Sequence, residues 1–205
     1  MTLNNSLTKN FMNPNSNPIT IFDEWFKAAQ KAGVKEVEAM NLATATKLGI
    51  PSNRTVLLKK YDENGFVFYT NLESRKGLEL RSNPFAALCI HWKELDRQVR
   101  IEGSVTQVSD EEADEYFNSR PLPSRIGAHV SKQSQPIGGD VDLLKAVAKK
   151  TAEFLGKKIE RPKFWSGFRV APQKIEFWQK GDFRLHTRCC YSREDGKWGM
   201  GFLYP

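Results

Sequence analysis

The chain has 205 residues, of which 40% are hydrophobic and 27% are charged, a composition typical of a folded protein with one sizeable core. Its longest apolar run, residues 85–90, is far shorter than the roughly 20 residues that a membrane span needs. The three cysteines exclude a disulfide framework, no Cys/His spacing resembles a metal site, and the first residues lack the apolar core of a signal peptide. We therefore expect a cytoplasmic protein with reduced thiols, no membrane segment and no metal ion.

The net charge of +7 favours anionic partners. Lysines and arginines are interspersed with acids and no nucleic-acid-binding motif is present, so small phosphorylated ligands explain the charge as well as nucleic acid does. The chain contains no P-loop, no dinucleotide-binding GxGxxG and no Ser-His-Asp order. These absences argue against an NTPase, a Rossmann enzyme and a serine hydrolase.

In chain order, residues 1–17 are expected to form a mobile arm and residues 18–205 a single domain. About eight short strands that do not alternate with helices predict a mainly β fold with flanking helices, an antiparallel barrel. Helices are predicted to begin near Thr20, Ser74, Ser109 and Asp140. The last of them is predicted to run to Leu155 with an inward face of Leu144, Val147, Ala148, Thr151 and Leu155. Strands are predicted at residues 40–46, 55–58, 66–69, 85–92, 97–108, 168–171, 174–179, 188–193 and 198–203.

The strongest local signal is a hairpin and the helix that follows it. Apolar residues at 55–58 and 66–69 flank the turn sequence Asp-Glu-Asn-Gly, which predicts that these two strands pair. Ser74 predicts a helix cap, and Arg75 and Lys76 lie in the first turn, where cations oppose the helix dipole. Because helix N-termini bind anions, this segment predicts a phosphate site. An ordinary helix with solvated charges fits the same residues.

A second set of phosphate-binding residue types follows the helix that the Ser109/Glu112 capping box predicts. Tyr116 and Arg120 are four residues apart and would share a helical face, with Ser124 close behind. A guanidinium with two hydroxyl groups suits a phosphate. Alternatively, Arg120 satisfies the terminal carbonyl groups of the helix and Tyr116 covers the core.

Near the C-terminus, an extended segment over residues 184–188 would place Arg184, His186 and Arg188 on one side. Three donors on one side are expected to face solvent or a ligand. His186 can titrate near neutral pH, although a single histidine is more often structural.

Ten motifs between residues 18 and 191 occur in an order that resembles the pyridoxine (pyridoxamine) 5′-phosphate oxidase family. They are Arg54-x-Val-Leu-Leu-Lys59, Phe68-Tyr-Thr-Asn71, Ser74-Arg-Lys76, Arg97-Gln-Val99, Ser119-Arg-Pro121, Ile126-Gly-Ala128, Ser131-Lys-Gln-Ser134, Phe164-Trp-x-Gly167, Ile175-Glu-Phe-Trp-Gln179 and Arg184-Leu-His186-x-Arg188. The resemblance implies an FMN-binding split β-barrel of antiparallel Greek-key type, and a homodimer with FMN at the interface.

The same resemblance implies the site residues by position. FMN contacts would be Arg54, Thr55, Val56, Leu57, Leu58, Lys59, Tyr69, Thr70, Arg75, Lys76, Gln98, Gln133, Ser134, Trp178 and Arg188. Substrate contacts would be Lys59, Tyr116, Arg120, Ser124, Arg184 and His186, of which Arg184 and His186 would be catalytic. In a regular strand Arg54 and Lys59 face opposite sides, so a bulge or main-chain contacts must reconcile them with one site.

The implied reaction oxidises pyridoxine or pyridoxamine 5′-phosphate to pyridoxal 5′-phosphate. Hydride passes from substrate C4′ to flavin N5, and O₂ reoxidises the flavin to give H₂O₂. Two alternatives share the barrel: a flavoenzyme of the phenazine-biosynthesis type and a non-catalytic carrier of flavin or pyridoxal phosphate. Lys59, Arg120 and Ser124 favour the vitamin B6 enzyme, because the phenazine type is expected to lack them. A basic nucleic-acid binder is a third alternative.

Overall fold

The computed structural model describes residues 16–205, so residues 1–15 of the predicted arm lie outside it. The helices of the described part are α1 (Pro18–Lys31), α2 (Arg75–Ser82), α3 (Asp110–Ser119), α4 (Leu122–Val130) and α5 (Asp140–Glu153). The strands are β1 (Ala39–Ala45), β2 (Pro51–Leu57), β3 (Lys60–Asp62), β4 (Gly65–Asn71), β5 (Phe85–Trp92), β6 (Arg97–Gln107), β7 (Trp165–Gln179), β8 (Thr187–Glu194) and β9 (Lys197–Phe202).

All strand pairs in this range are antiparallel, and the strand order is β2-β1-β5-β6-β7-β4-β3. β7 is shared: residues 165–170 pair with β4, residues 174–179 pair with β8, and β6 pairs along its other edge. The sheet therefore branches at β7 and curls around one core, which confirms the mainly β split barrel with flanking helices.

Two predicted strands, at residues 168–171 and 174–179, are one continuous strand. The chain runs through Pro172 without a break because the partner strand shifts register between Glu102 and Gly103. The shift absorbs the missing N–H group of the proline within the sheet, as bulges do elsewhere.

The predicted pairing of residues 55–58 with residues 66–69 is wrong. β2 pairs with β1 along its whole length, and the hairpin is formed by the short strand β3 and β4. The chain changes neighbours in between: the Leu58 N–H donates to Glu38 O and the Lys59 N–H donates to Val67 O. Alternation of side chains therefore stops between β2 and β3, which removes the conflict between Arg54 and Lys59.

α1 closes the core by placing one face against the inner side of the sheet. Phe22 is fully buried and contacts Phe66 edge-to-face, and Trp25 contacts Phe177 in the same way. The helix begins earlier than Thr20 and Asp23 predicted. Asn17 accepts from the Ile19 N–H and a proline occupies the first turn, a combination that suits a helix start.

The predicted inward face of α5 is right only at Val147, which packs with Phe154 against the cluster that includes α4. Leu144 is 68% exposed and Leu155 is 82% exposed, and Ala148 and Thr151 are exposed as well. Among residues 16–205, no helix has the length and apolar character needed to cross a bilayer.

Close packing of α2 depends on Gly77, which lies above the chain that leads into the helix. A Cβ atom at this position would overlap the carbonyl group of Leu72. The glycine therefore lets the first turn of α2 lie directly on the end of β4, which places Ser74 and Lys76 beside that strand.

We expect Gly77→Ala to destabilise the protein by about 2 kcal/mol, because overlap with a main-chain carbonyl outweighs the gain in helix propensity. Gly127→Ala in α4 is the matched control, since a Cβ there meets nothing within 4 Å. The control should be neutral or stabilising by up to ~1 kcal/mol. Urea unfolding of both variants measures the difference, and equal midpoints would contradict the packing constraint.

Candidate functional site

A cleft with a volume of about 620 Å³ lies where β2, β4, α2, α3 and the start of β7 meet. It contains four cationic side chains and no carboxylate among its described lining residues. The lining residues are Arg54, Thr55, Val56, Leu57, Lys59, Tyr69, Thr70, Lys76, Tyr116, Arg120, Pro121, Ser124, Gln133 and Trp165.

Lys76 is the buried cation of this cleft. Its amine donates to Gln133 Oε1 at 2.7 Å, to Thr70 Oγ1 at 3.2 Å and to Ser74 Oγ at 3.3 Å. Burial and the neighbouring Arg54 lower the pKa of Lys76 to about 8. Its described partners are all neutral, so the positive charge is solvated by dipoles and stays available to an anion.

Of the two cations in the first turn of α2 that were predicted to bind an anion, only Lys76 lines the cleft. Ser74 caps the helix and accepts from the Gly77 N–H. Arg75 is exposed, does not line the cleft, and donates through Nε to Glu79 Oε1 at 2.9 Å. Lys76 therefore points into the cleft while Arg75 lies beside it.

Glu79 is a buried carboxylate that also holds Arg54. Arg54 Nη2 lies 3.5 Å from Glu79 Oε2, and Thr44 and Ser52 donate hydroxyl hydrogen bonds to the same oxygen. Burial would raise the pKa of Glu79, but the hydrogen bonds from Ser52, Thr44 and Arg75 outweigh it and lower the pKa to about 2. Arg54 therefore lines the cleft with its charge already paired to Glu79.

Arg120 is the half-buried cation without an acidic partner. It is the C-cap of α3 and has an extended backbone, so the predicted shared helical face with Tyr116 is wrong, although both side chains reach the cleft. Within the described part of the chain its guanidinium forms no side-chain hydrogen bond, and Nη1 is buried without an acceptor. Burial lowers the pKa of Arg120, while Tyr116 opposes that shift.

Three aromatic rings stack to form one wall of the cleft. The Tyr69 and Tyr116 rings are 3.9 Å apart with an interplanar angle of 16°, and Trp165 lies 5.4 Å from Tyr69 at 9°. Burial, followed by the charge of Glu112, raises the pKa of Tyr69 to about 12. The hydroxyl group of Tyr69 therefore stays neutral at physiological pH.

The loop after α4 brings Gln133 into the cleft. Gln133 Oε1 accepts from Thr70 and Lys76, and the preceding loop is tied to β4 because Asn71 donates to Ser131 O. The Gln133 amide nitrogen is left to donate to a ligand. Ser134 is exposed in a left-handed conformation with φ 70° and does not line the cleft.

A second group of predicted residues lies on the outer face of the sheet. Gln98, Trp178 and Arg188 are directly opposite one another on β6, β7 and β8, so their side chains share a face. The adjacent row, which includes Val99 and Phe177, is fully buried in the core. The second group therefore faces away from the core.

His186 joins this second group without the predicted extended backbone. Its ring lies 4.6 Å from Trp178, and Nδ1 accepts from the Gly181 N–H at 3.2 Å. The extended backbone considered for residues 184–188 is present only from Thr187, where β8 begins, because residues 182–184 form a 3₁₀ turn in which Phe183 and Arg184 have φ values of 54° and 65°. Arg184 is exposed at this strained turn.

Arg188 is held in place by its neighbours on the same face. Its guanidinium donates to both oxygens of Glu176, at 2.9 and 3.0 Å, and to Tyr204 O at 2.8 Å. A buried carboxylate with a forked pairing fixes the orientation of an arginine. The C-terminal segment beyond β9 is therefore anchored to the second group.

One chain does not bring the two groups together. Trp165 in the cleft begins β7 and Trp178 lies near its end, roughly 40 Å along the strand at ~3.3 Å per residue. The cleft contains these predicted residues: Arg54, Thr55, Val56, Leu57, Lys59, Tyr69, Thr70, Lys76, Tyr116, Arg120, Ser124 and Gln133. The predicted residues that do not line the cleft are Leu58, which is buried in the core, and Arg75, Gln98, Ser134, Trp178, Arg184, His186 and Arg188.

The prediction missed Trp165 and Pro121 as lining residues. Both stand inside motifs that carried the resemblance, Phe164-Trp-x-Gly167 and Ser119-Arg-Pro121. Neither side chain has a charge or a hydroxyl group, so residue chemistry gave no reason to select it. Position within a motif was the available signal.

Two family models match the chain. One, described as pyridoxamine 5′-phosphate oxidase, matches residues 26–154. The other, described as the pyridoxine 5′-phosphate oxidase C-terminal dimerisation region, matches residues 165–205 and so contains Trp178, His186 and Arg188 of the second group.

Curated relatives and solved structures agree with these matches. Proteins named pyridoxine/pyridoxamine 5′-phosphate oxidase from Rhizobium meliloti and Zymomonas mobilis are 51% and 50% identical, covering 100% and 92% of this chain and 100% and 98% of theirs. PhzG from Burkholderia lata, solved with tetrahydrophenazine-1-carboxylic acid, has a TM-score of 0.91 at 32% identity, covering 100% of this chain and 98% of that chain.

A pyridoxamine 5′-phosphate oxidase-related, FMN-binding protein from Nostoc punctiforme has a TM-score of 0.73 at 16% identity, over 90% of this chain and 97% of that chain, and shares the fold. Two matching family models, relatives of half-identical sequence over their whole length, and a common barrel all lead to one assignment. The chain belongs to the pyridoxamine 5′-phosphate oxidase family.

Proposed function

We propose that the protein is an FMN-dependent oxidase that converts pyridoxine or pyridoxamine 5′-phosphate to pyridoxal 5′-phosphate, with O₂ as the electron acceptor and H₂O₂ as a product. The observation that carries the proposal is the cleft with four cations and no carboxylate in its described lining. Such a cleft suits two phosphate groups. The family assignment supplies the class of reaction.

The residues of the cleft fit FMN at its β4–α2 end. Lys76 and Thr70 lie side by side with Gln133, and the proposed phosphate would accept hydrogen bonds from them. The buried amine has no acidic partner among the described residues, and a phosphate monoester matches that need. When bound, FMN supplies the two-electron redox chemistry that amino acid side chains lack.

The opposite end of the cleft fits the phosphate of the substrate. Arg120 Nη1 is a buried donor without an acceptor in the described chain. Lys59 lines the same cleft and forms no ion pair with any described residue, and Ser124 contributes a hydroxyl group nearby. We assign the substrate phosphate to these three side chains.

The second group completes the site from a partner subunit. Residues 165–205 match a dimerisation region, and β7 keeps Trp178 far from the cleft of its own chain. In a homodimer, Gln98, Trp178 and Arg188 of one chain would cover FMN in the cleft of the other. Arg184 and His186 would position the substrate ring.

His186 has a defined donor in its neutral form. Because Nδ1 accepts from the Gly181 N–H, the neutral ring carries its proton on Nε2. Nε2 can therefore donate to a polar substituent of the substrate ring. The contact with Trp178 fixes the plane of the imidazole, and Arg184 beside it adds a positive charge.

A second candidate is oxidation of a tricyclic acid without phosphate, which the likeness to PhzG at a TM-score of 0.91 favours. That protein's ligand, tetrahydrophenazine-1-carboxylic acid, carries one carboxylate. A carboxylate has one negative charge and two acceptor oxygens, whereas a phosphate monoester has up to two charges and three terminal oxygens, so Lys59, Arg120 and Ser124 together match the phosphate better. The relatives at 51% and 50% identity also favour the phosphorylated substrate.

The proposed reaction is tested by mixing FMN-loaded protein with pyridoxine 5′-phosphate without oxygen. We expect the yellow flavin absorbance to be lost, and to return with release of H₂O₂ when air is admitted. Unphosphorylated pyridoxine is the matched control and should bleach the flavin far more slowly. Unchanged absorbance with the phosphorylated substrate would refute the proposed reaction and leave the carrier and the oxidase of a tricyclic acid as alternatives.

We expect the affinity for FMN to fall by about tenfold between pH 7 and 9. Burial lowers the pKa of Lys76 to about 8, and a phosphate binds the protonated amine, so affinity is full below pH 8 and falls above it. Lys76→Met should bind FMN weakly with no such step. Quenching of flavin fluorescence measures the dissociation constant, and a wild-type profile that is flat over this range would remove Lys76 from the phosphate site.

Mixed dimers test the two-chain site. At a substrate concentration near the wild-type KM, Arg120→Ala and Arg184→Ala homodimers should each have little activity, because every site lacks one group. Random mixing of the two chains should restore about a quarter of wild-type activity, since half of the dimers then carry one intact site of two. Activity no higher than that of the two homodimers would show that both residues act within one chain.

A further inference from the structure

Arginines near the cleft are held in two different ways. Arg54 pairs with Glu79, Arg161 pairs with Asp110 and Asp114, and Arg169 pairs with Glu112 and Asp62. Arg120 has no acidic partner in the described chain. Arg125, on α4, shares that lack but does not line the cleft. Something other than a carboxylate must hold the Arg120 guanidinium.

The indole of Trp165 holds the Arg120 guanidinium. The central carbon of the guanidinium lies 4.7 Å from the centroid of the Trp165 ring, and the Phe117 ring is further away at 5.9 Å. An arginine over the face of a tryptophan is attracted by the ring quadrupole, most strongly where water is excluded. The guanidinium therefore keeps its position without an ion pair.

Trp165 is itself fixed from several sides. The residue is 6% exposed, its ring meets Phe117 edge-to-face at 5.3 Å, and Tyr69 stacks on it. Arg161 Nη1 donates to Trp165 O at 2.8 Å, which ties the main chain to α3 through the ion pairs of Arg161. The indole is a rigid support.

An aromatic ring that packs on the flat face of a guanidinium leaves its N–H groups free, whereas a carboxylate that binds along the edge uses them. A carboxylate would occupy the N–H groups and neutralise the charge, as Glu176 does for Arg188. An aromatic ring leaves the N–H groups, which point outward in the plane of the guanidinium, available as donors, and it does not neutralise the charge. Arg120 and Trp165 also border a smaller hollow of about 260 Å³ with Ser124 and Gln133. Space for an anion adjoins the unpaired donors.

We propose that Trp165 is a positioning residue that presents the N–H groups of Arg120 to the substrate phosphate, and so sets the preference for phosphorylated substrates. This role rests on the proposed function, because it concerns the same cleft. Trp165 acts through Arg120, so the effect of replacing Trp165 must depend on the presence of Arg120.

A double-mutant cycle on FMN-loaded protein tests this dependence. Trp165→Leu removes the ring face and should raise the KM for pyridoxine 5′-phosphate about ten- to thirtyfold, with kcat within about threefold of wild type. Arg120→Ala should raise the KM ten- to a hundredfold or so. In the Arg120→Ala background, Trp165→Leu should add less than about twofold. Equal effects of Trp165→Leu in both backgrounds would overturn the proposal.

Trp165→Phe keeps an aromatic face and covers the case in which Trp165→Leu does not fold. It should raise the KM by about threefold and retain the dependence on Arg120. Trp198→Leu is the matched control, because Arg193 lies over Trp198 at 5.6 Å in a pair on β8 and β9 outside the cleft. The control should leave the KM unchanged, and a KM raised as much as in Trp165→Leu would contradict the role.

Failure of the proposed function remains distinguishable from failure of this role. If wild-type protein does not turn over pyridoxine 5′-phosphate, the proposed function fails. The same cycle is then run on the affinity for inorganic phosphate, measured by calorimetry with the four proteins. Weakening by Trp165→Leu that disappears without Arg120 supports the role, and independent effects refute it.

Discussion

The geometry of the protein depends on β7, one continuous strand that serves three neighbours. β6 pairs along one edge, while β4 and β8 divide the other. Trp165 at its start lies in the cationic cleft, and Trp178 near its end belongs to the outer face. Roughly 40 Å of strand at ~3.3 Å per residue separates these two residues, and Trp178 does not line the cleft of its own chain. A site that uses both ends therefore requires two chains, which agrees with the match of residues 165–205 to a dimerisation region.

A second constraint is how the chain distributes its acids. Buried carboxylates pair with one arginine of the cleft and one of the outer face, Glu79 with Arg54 and Glu176 with Arg188. Burying a charge without a partner is costly, so these pairs hold arginines at fixed positions. Two cations of the cleft, Lys76 and Arg120, have no acidic partner among the described residues and are stabilised by neutral groups. Hydroxyl and amide oxygens surround Lys76, and an indole face lies beside Arg120. The cations of the protein that are paired with acids therefore have structural roles, whereas Lys76 and Arg120 keep a charge that can bind a ligand.

The errors of the sequence interpretation share one cause. The turn at 62–65 was identified correctly, but its upstream strand was assigned to residues 55–58, which pair with β1 instead. Leu144 and Leu155 have helical spacing but lie on an exposed face of α5. Periodicity shows that a segment has an apolar face and not which neighbour covers that face. Sequence spacing would put Arg184, His186 and Arg188 on one side only if the backbone were extended, and the positive φ of Arg184 shows a turn there instead, closed by Gly181 and His186.

The order and chemistry of the motifs were enough, without coordinates, to determine the family resemblance, the mainly β architecture and all four cationic residues of the cleft. Local signals such as the Ser74 cap depend on residues close in the chain, so they survive without a structure. Tertiary structure alone decided that Arg120 rests on Trp165, that Arg75 turns aside to Glu79, and that Trp178 lies far from the cleft. Each of these facts depends on which strands are neighbours, and strand pairing joins residues separated by long stretches of chain.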